Sequence, residues 1–320
     1  MTDENKLITD SRTASPVQDN QTKQHYIQRN DKLYLRVTLS FFMVGLATFA
    51  LLYFVQPILP LLSEDFAVSP AQASLSLSLA TGFMAIGLLI TGPLSDAVGR
   101  KFSLFGAFLF WRLLPPSRHF RASSLKPKSL WKYLILHCRD DGLPWLFATG
   151  FIIMGSFVTL FNYIGYRLME PPYHFSQAVV GMLSVVYLSG TYSASKAGTL
   201  TRKYGYGKVL IGAVSLMLTG ILITLGSSLA AVLIGMLVLT TGFFAAHSVT
   251  SSWVGHRARR ARAQASSLYL FSYYGGSSIA GTLGGVFWSY WHWNGIGWFI
   301  AAMLATGVLI TLYLNKHAHS

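Results

Sequence analysis

Few side chains in this sequence could move a proton or hold a polar solute, and those few stand inside long apolar runs. All 11 Asp and Glu residues fall in the polar N-terminal stretch, in loops or in turns, so no carboxylate occupies the core of an apolar run. His247 and Lys196 are the ionisable side chains left inside. An imidazole changes charge near neutral pH and could relay protons; a lone helical histidine held by one hydrogen bond is the plainer reading of His247. Lys196 lies close to the end of its run, where its long stem lets the ammonium snorkel toward water. Gln56, Asn162, Tyr163 and Tyr166 have two roles open to them: lining a water-filled cavity that takes a solute, or hydrogen bonding from helix to helix. No HExxH, CxxC, nucleophile elbow or phosphate loop is present. Cys138, the single cysteine, excludes an internal disulfide and a thiolate metal cluster. The expectation is therefore no catalytic residue, no cofactor and no metal.

These residues must be positioned by membrane helices. With 52% hydrophobic and 11% charged residues, the chain departs far from a soluble protein, of which about a quarter is charged. About 20 apolar residues cross a bilayer as helix, and such runs occupy residues 33–55, 75–91, 143–166, 177–200, 209–227, 229–253, 266–288 and 295–314. The expected fold is all-α and integral to the membrane, with eight spans and both ends on one side. The net charge of +14 would suit nucleic acid only if gathered on one soluble face. Here it alternates between loops. One side holds Lys32, Arg36, Arg100, Lys101, a basic linker up to Arg139, Arg202, Lys203, Lys208, Arg257, Arg259, Arg260, Arg262 and Lys316; the other holds Arg167 among Glu64, Asp65 and Glu170. Basic loops stay in the cytoplasm, so both ends and the linker are expected there, with the lipid bilayer as partner and no nucleic acid. Residues 1–32 read as a disordered tail, 33–101 as two spans and a turn, 102–142 as the linker, and 143–315 as a six-helix bundle.

The string Gly92-Pro-Leu-Ser-Asp-Ala-Val-Gly-Arg-Lys101 follows the second run directly. Gly92 and Gly99 permit close backbone approach and a tight reversal, while Asp96 can pair with Arg100 or face the positive N-terminus of a neighbouring helix. The string resembles the G-x-L-x-D-x-x-G-R-K turn between spans two and three of the major facilitator superfamily. The resemblance implies a gating turn of Gly92, Asp96, Gly99, Arg100 and Lys101, in which Asp96 latches onto the start of a helix near Gln264 and holds the cytoplasmic gate closed; a solvated Asp96–Arg100 pair is the bland alternative. Tyr53-Phe-Val-Gln-Pro-Ile-Leu-Pro60 is similar to the end of span one in bacterial efflux members of the acriflavine-sensitivity type. Gly198-Thr-Leu-Thr-Arg-Lys-Tyr-Gly205 repeats the turn with Arg202 in place of the aspartate, the weak internal symmetry of a transporter.

The family carries twelve spans in two bundles of six, whereas two spans precede the second bundle here. Residues 102–114, flanked by basic residues, are too short for a span and read as an interfacial or re-entrant piece, with Phe102 to Trp111 as the remnant of span six. Spans three to six are thus expected to be absent, an even number that preserves the orientation of everything downstream. The family's coupling arginine on span four and antiporter motif on span five fall in the absent segment. The resemblance implies efflux of a small molecule coupled to protons by alternating access, from the bacterial inner membrane. A non-transporting membrane remnant or interaction subunit is the rival, and self-association would cover faces that have lost partners. Gly276, Ala280 and Gly284, with Gly281 and Gly285, form small-residue stripes suited to close helix packing.

Overall fold

The computed structural model describes residues 55–98 and 126–317, with the backbone alone over 91–98. The first expected span except Val55, Tyr53, the 102–114 segment, and Gly99, Arg100 and Lys101 lie outside the described residues. What is described is helical, with no strand among the described residues. A 3-10 turn, Gln56–Ile58, leads into α1 (Leu59–Asp65) and α2 (Pro70–Val98). A linker helix, α3 (Pro127–Cys138), precedes α4 (Leu143–Met169). Next come α5 (Gln177–Met182), a 3-10 stretch (Leu183–Tyr187) and α6 (Leu188–Tyr204), then α7 (Tyr206–Thr224), α8 (Leu229–Arg257) and α9 (Arg262–His317).

Among the described residues, six helical stretches are long and apolar enough to cross a membrane. One of them, α9, runs 56 residues, which as a straight rod would reach ~84 Å, far beyond ~30 Å of hydrocarbon. It breaks at His292, whose φ of 47° and ψ of −138° reverse the chain, and Phe287 stacks on Phe299 across the reversal with ring centroids 4.4 Å apart. Two antiparallel arms result, as the two expected spans 266–288 and 295–314 require. One expectation changes: α2 carries Gly92 through Val98 as helix rather than turn. The second copy behaves alike, since α6 ends at Tyr204 and Gly205 turns at φ 84°, a conformation that favours glycine. Both helices are thus helical up to the residue before the motif's second glycine.

In hydrocarbon the packing of helices rests on close van der Waals contact and polar contacts, and the small residues deliver it. On the first arm of α9, a Cβ added at Gly284 would stand 2.7 Å from Thr159 and Tyr163, and Gly276 lies against the Phe151 backbone, so this stripe seats α4. Gly285, on the adjoining stripe, meets Ala71 of α2. Two neighbours therefore use two stripes of one helix. At the far end from the basic loops, Arg167 of α4 donates to the carbonyls of Thr224 and, at 2.8 Å, Gly226. These are carbonyls that the end of α7 leaves without intrahelical partners. The same guanidinium lies 4.9 Å from the Trp293 ring, whose indole also donates to Thr224 O at 3.1 Å. Arg167 is thus held by three elements, which explains a lone basic residue on the acidic side.

Candidate transport site

The polar residues expected at membrane depth converge where the N-terminal segment meets α4, α5 and α9. Gln56 is 3% exposed and Asn162 1%. Gln56 Nε2 donates to Asn162 Oδ1 at 3.0 Å, and the Tyr187 hydroxyl donates to Gln56 Oε1 at 3.2 Å. Gln177 adds a bond to Pro57 O. Asn162 Nδ2 is buried with no partner among the described residues, a situation that costs about 1–3 kcal/mol, so a polar guest here would gain a hydrogen bond. Beside this network a small cavity of about 20 Å³ is lined by Gln56, Phe161, Ser184 and Tyr187. Proline at positions 57 and 60 prevents a regular helix through this stretch, which is why Gln56 sits on a 3-10 turn.

Tyr163 and Tyr166 take the second of their two expected roles. The Tyr163 hydroxyl donates to Gly281 O at 2.9 Å and lies 3.3 Å from Ser74 Oγ; that of Tyr166 donates to Leu59 O at 3.0 Å and lies 2.7 Å from Ser63 Oγ. Ser278 donates to Ser78 O at 2.7 Å, and Thr282 to Ser78 Oγ at 2.7 Å. All of these bonds but Tyr163–Gly281 join residues 56–78 to the C-terminal bundle. Gly82, whose added Cβ would stand 3.3 Å from Ser278 Oγ, extends the contact to ~18 Å into α2, and Ala85, one turn further, is also buried.

His247 on α8 is half-buried, with Nδ1 2.9 Å from the Tyr269 hydroxyl and its ring 4.6 Å from that of Tyr273. It borders an aromatic cluster in which Phe157 stacks on Phe243 at 3.9 Å and Phe161 meets Tyr187 edge-on at 4.8 Å. The cluster links His247 to the Gln56 network through Tyr187. Tyr187 and Gln177 were not singled out by the sequence, although polar groups inside an apolar run were the available signal. Asp96 belongs to the segment whose backbone alone is described, so its partner is not assigned. Lys196 is exposed on α6, with Nζ 5.5 Å from the ring of Tyr192 one turn back.

On the basic side, Asp140 Oδ1 accepts from Gly142 N at 2.9 Å and Leu143 N at 2.8 Å, opening α4, and also from Arg257 Nε at the end of α8. Burial pushes this carboxyl up, but Arg257 and the two backbone N–H groups outweigh it and hold it below the usual aspartate value. A lowered folded value means that Asp140 stabilises the fold fully above an unfolded value of about 3.9 and ceases to do so as pH falls through the folded one. The melting temperature of Asp140→Asn in detergent should therefore lie below the parent's by a constant margin above about pH 5, and the margin should close in stronger acid. A margin independent of pH would sink this assignment.

No family model matches the chain. It is 46% identical to the inner membrane transport protein YnfM of Escherichia coli (strain K12) over 392 aligned positions, which cover 92% of this chain and 94% of that protein. It is 35% identical to an uncharacterized transporter of Buchnera aphidicola subsp. Baizongia pistaciae, with 92% and 98% covered. To the uncharacterized MFS-type transporter YybF of Bacillus subtilis (strain 168) it is 33% identical, with 91% and 96% covered. An all-helical, multi-pass chain that aligns along nearly its whole length with such transporters belongs to the major facilitator superfamily.

Proposed function

We propose that this chain is a shortened secondary transporter of the bacterial inner membrane, descended from proton-driven efflux proteins that move a small molecule by alternating access. Its ends and linker face the cytoplasm, and spans three to six are missing. The observation that carries the reading is the buried Gln56–Asn162 pair, whose Asn162 Nδ2 has no partner among the described residues, at the place where Ser63, Ser74 and Ser78 bond the N-terminal segment to the C-terminal bundle. Gln56 and Asn162 line the site, Tyr163 and Tyr166 close its outer side, and His247 is the candidate proton-linked group. Asp96, on the last turn of α2, closes the cytoplasmic side together with Gly92, Gly99, Arg100 and Lys101.

Two further observations support the missing spans. Coverage of 92% of 320 residues is about 294, which leaves roughly 98 of the 392 positions aligned with YnfM unmatched in this chain. That is about the length of four spans of ~20 residues with their loops. The helices that would have faced those spans are also the least covered: 33% of the apolar window is buried in Pro70–Ile90 and 17% in Gln177–Tyr204, against 44–72% in the others. On α6, exposed Thr191, Ser195, Thr199 and Arg202 form a polar stripe opposite buried Gly190, Ser193 and Ala197. Lipid does not solvate such a stripe. The same stripe favours the second reading, a non-transporting interaction subunit or a self-associating remnant.

The test compares dye efflux by this chain, an empty vector, and a version with four family helices restored after Lys101, at matched membrane levels. The restored version should export dye and lose that export to a proton uncoupler, while the short chain should match the vector. Uncoupler-sensitive efflux by the short chain would overturn the deletion reading, and no efflux by a correctly inserted restored version would overturn the efflux assignment.

A further inference from the structure

A groove between α6, α7 and α8 lies apart from the site above, and we propose that it binds one anionic phospholipid, with an acyl chain along the groove and the phosphodiester at its basic mouth. The groove has a volume of about 470 Å³. It exists because the residues along its sides are small, Ala197, Ala213 and Ala245, while Leu200 and Leu216 provide hydrocarbon walls. At Gly212 an added Cβ would meet nothing within 4 Å, so the floor is open rather than filled by a neighbouring helix. From Lys208 to Leu216 the groove runs eight residues along α7, or ~12 Å, close to the ~15 Å of hydrocarbon in one leaflet. A chain entering at the mouth therefore ends near the bilayer midplane.

Charge selects the headgroup. The charged residues that line the groove are Lys196 and Lys208, with no carboxylate beside them, and neither lysine has a carboxylate partner among the described residues. Lys208 stands in the first turn of α7, at the membrane surface. Lys196 rests over Tyr192, and its flexible four-carbon stem lets the same ammonium swing to a phosphate at the mouth. An ammonium at membrane depth is costly without an anion. A net-anionic phosphodiester supplies one at the depth where the groove's apolar part begins. A zwitterionic headgroup brings its own cation and gains less.

Native mass spectrometry of the full chain, released from micelles containing equal phosphatidylglycerol and phosphatidylcholine, tests the proposal on variants first shown to elute as the parent does. Each lysine near the surface is worth about a fivefold preference for anionic lipid, so the parent should retain phosphatidylglycerol over phosphatidylcholine by more than about tenfold. The double variant Lys196→Gln/Lys208→Gln should retain the two about equally. Gly212→Leu, which fills the groove and leaves both lysines in place, should retain little of either. Lys316→Gln, an exposed lysine outside the groove, should behave as the parent. Equal retention by the parent, or an undiminished preference in the double variant, overturns the proposal. A preference that survives Gly212→Leu overturns it too, because the lipid would then be adsorbed by charge alone.

Discussion

Leucine at Gly242 is expected to leave no monodisperse protein after extraction, whereas leucine at Gly212 should purify and melt like the parent chain. Both glycines belong to the α7–α8 region, and their surroundings differ completely. A Cβ at Gly242 would stand 2.7 Å from Ala213 O and 2.8 Å from Met217 N. Both neighbours are backbone atoms of α7, so no rotamer change relieves the clash and the helices must separate along their whole crossing. Gly235 faces the same helix, with Gly220 O 2.6 Å from its would-be Cβ. Overpacking of a core costs about 1–3 kcal/mol even when side chains can yield, and here they cannot; the loss should be about 3 kcal/mol or more. Gly242→Ala should fall between, with a lowered melting temperature in detergent and a folded product. Should Gly242→Leu melt with Gly212→Leu, the backbone contact between α7 and α8 would not be what holds them together.

The stripes on α9 show what the sequence reveals and what it hides. Gly276, Ala280 and Gly284 announce close packing through their spacing alone, because small residues four apart have one use on a membrane helix. Which helix they seat is hidden, since Phe151 and Ala71 lie more than a hundred residues away. The same distance hides the site. Gln56, Asn162, Tyr163 and Tyr166 stand out as polar groups within apolar runs, but their division into a bonded pair and two interhelical struts depends on Leu59, Ser63, Ser74 and Gly281. Tyr187 completes the network by reaching Gln56 across 131 positions, a pairing without local signature. The linker helix was legible in principle. Pro127 stands at its start, where a missing N–H does no harm. Leu130, Tyr133, Leu134 and His137 then recur with helical spacing on its less exposed face. Basic composition concealed it, because a loop was the simpler reading of so many charges. The reversal at His292 was legible only as a gap between two apolar runs, for a histidine with positive φ is not what turn chemistry favours.

Orientation yields the sharpest outcome. The folded chain alternates faithfully between two sides: Asp140 meets Arg257 and Gln264 Nε2 reaches Leu130 O on one, while Arg167 meets Thr224 and Trp293 on the other. Arg202, Lys203, Lys208, Arg259, Arg260 and Lys316 all fall on the first side, and basic loops are retained in the cytoplasm. Cys138, exposed at the end of α3 beside that first side, should thus react with a membrane-impermeant maleimide only after cells are opened. Exposed Glu170 follows α4 on the opposite side, so a Glu170→Cys variant in a Cys138→Ser background should react in intact cells. The contrast is nearly all-or-none, and it bears on more than topology. If an odd number of spans had been lost, the six-helix bundle would be inserted upside down relative to its own charges, and labelling would reveal either reversal or a mixture. Reaction of Cys138 in intact cells, with Glu170→Cys protected, would overturn the cytoplasmic placement of the linker and with it the even-numbered loss of spans three to six.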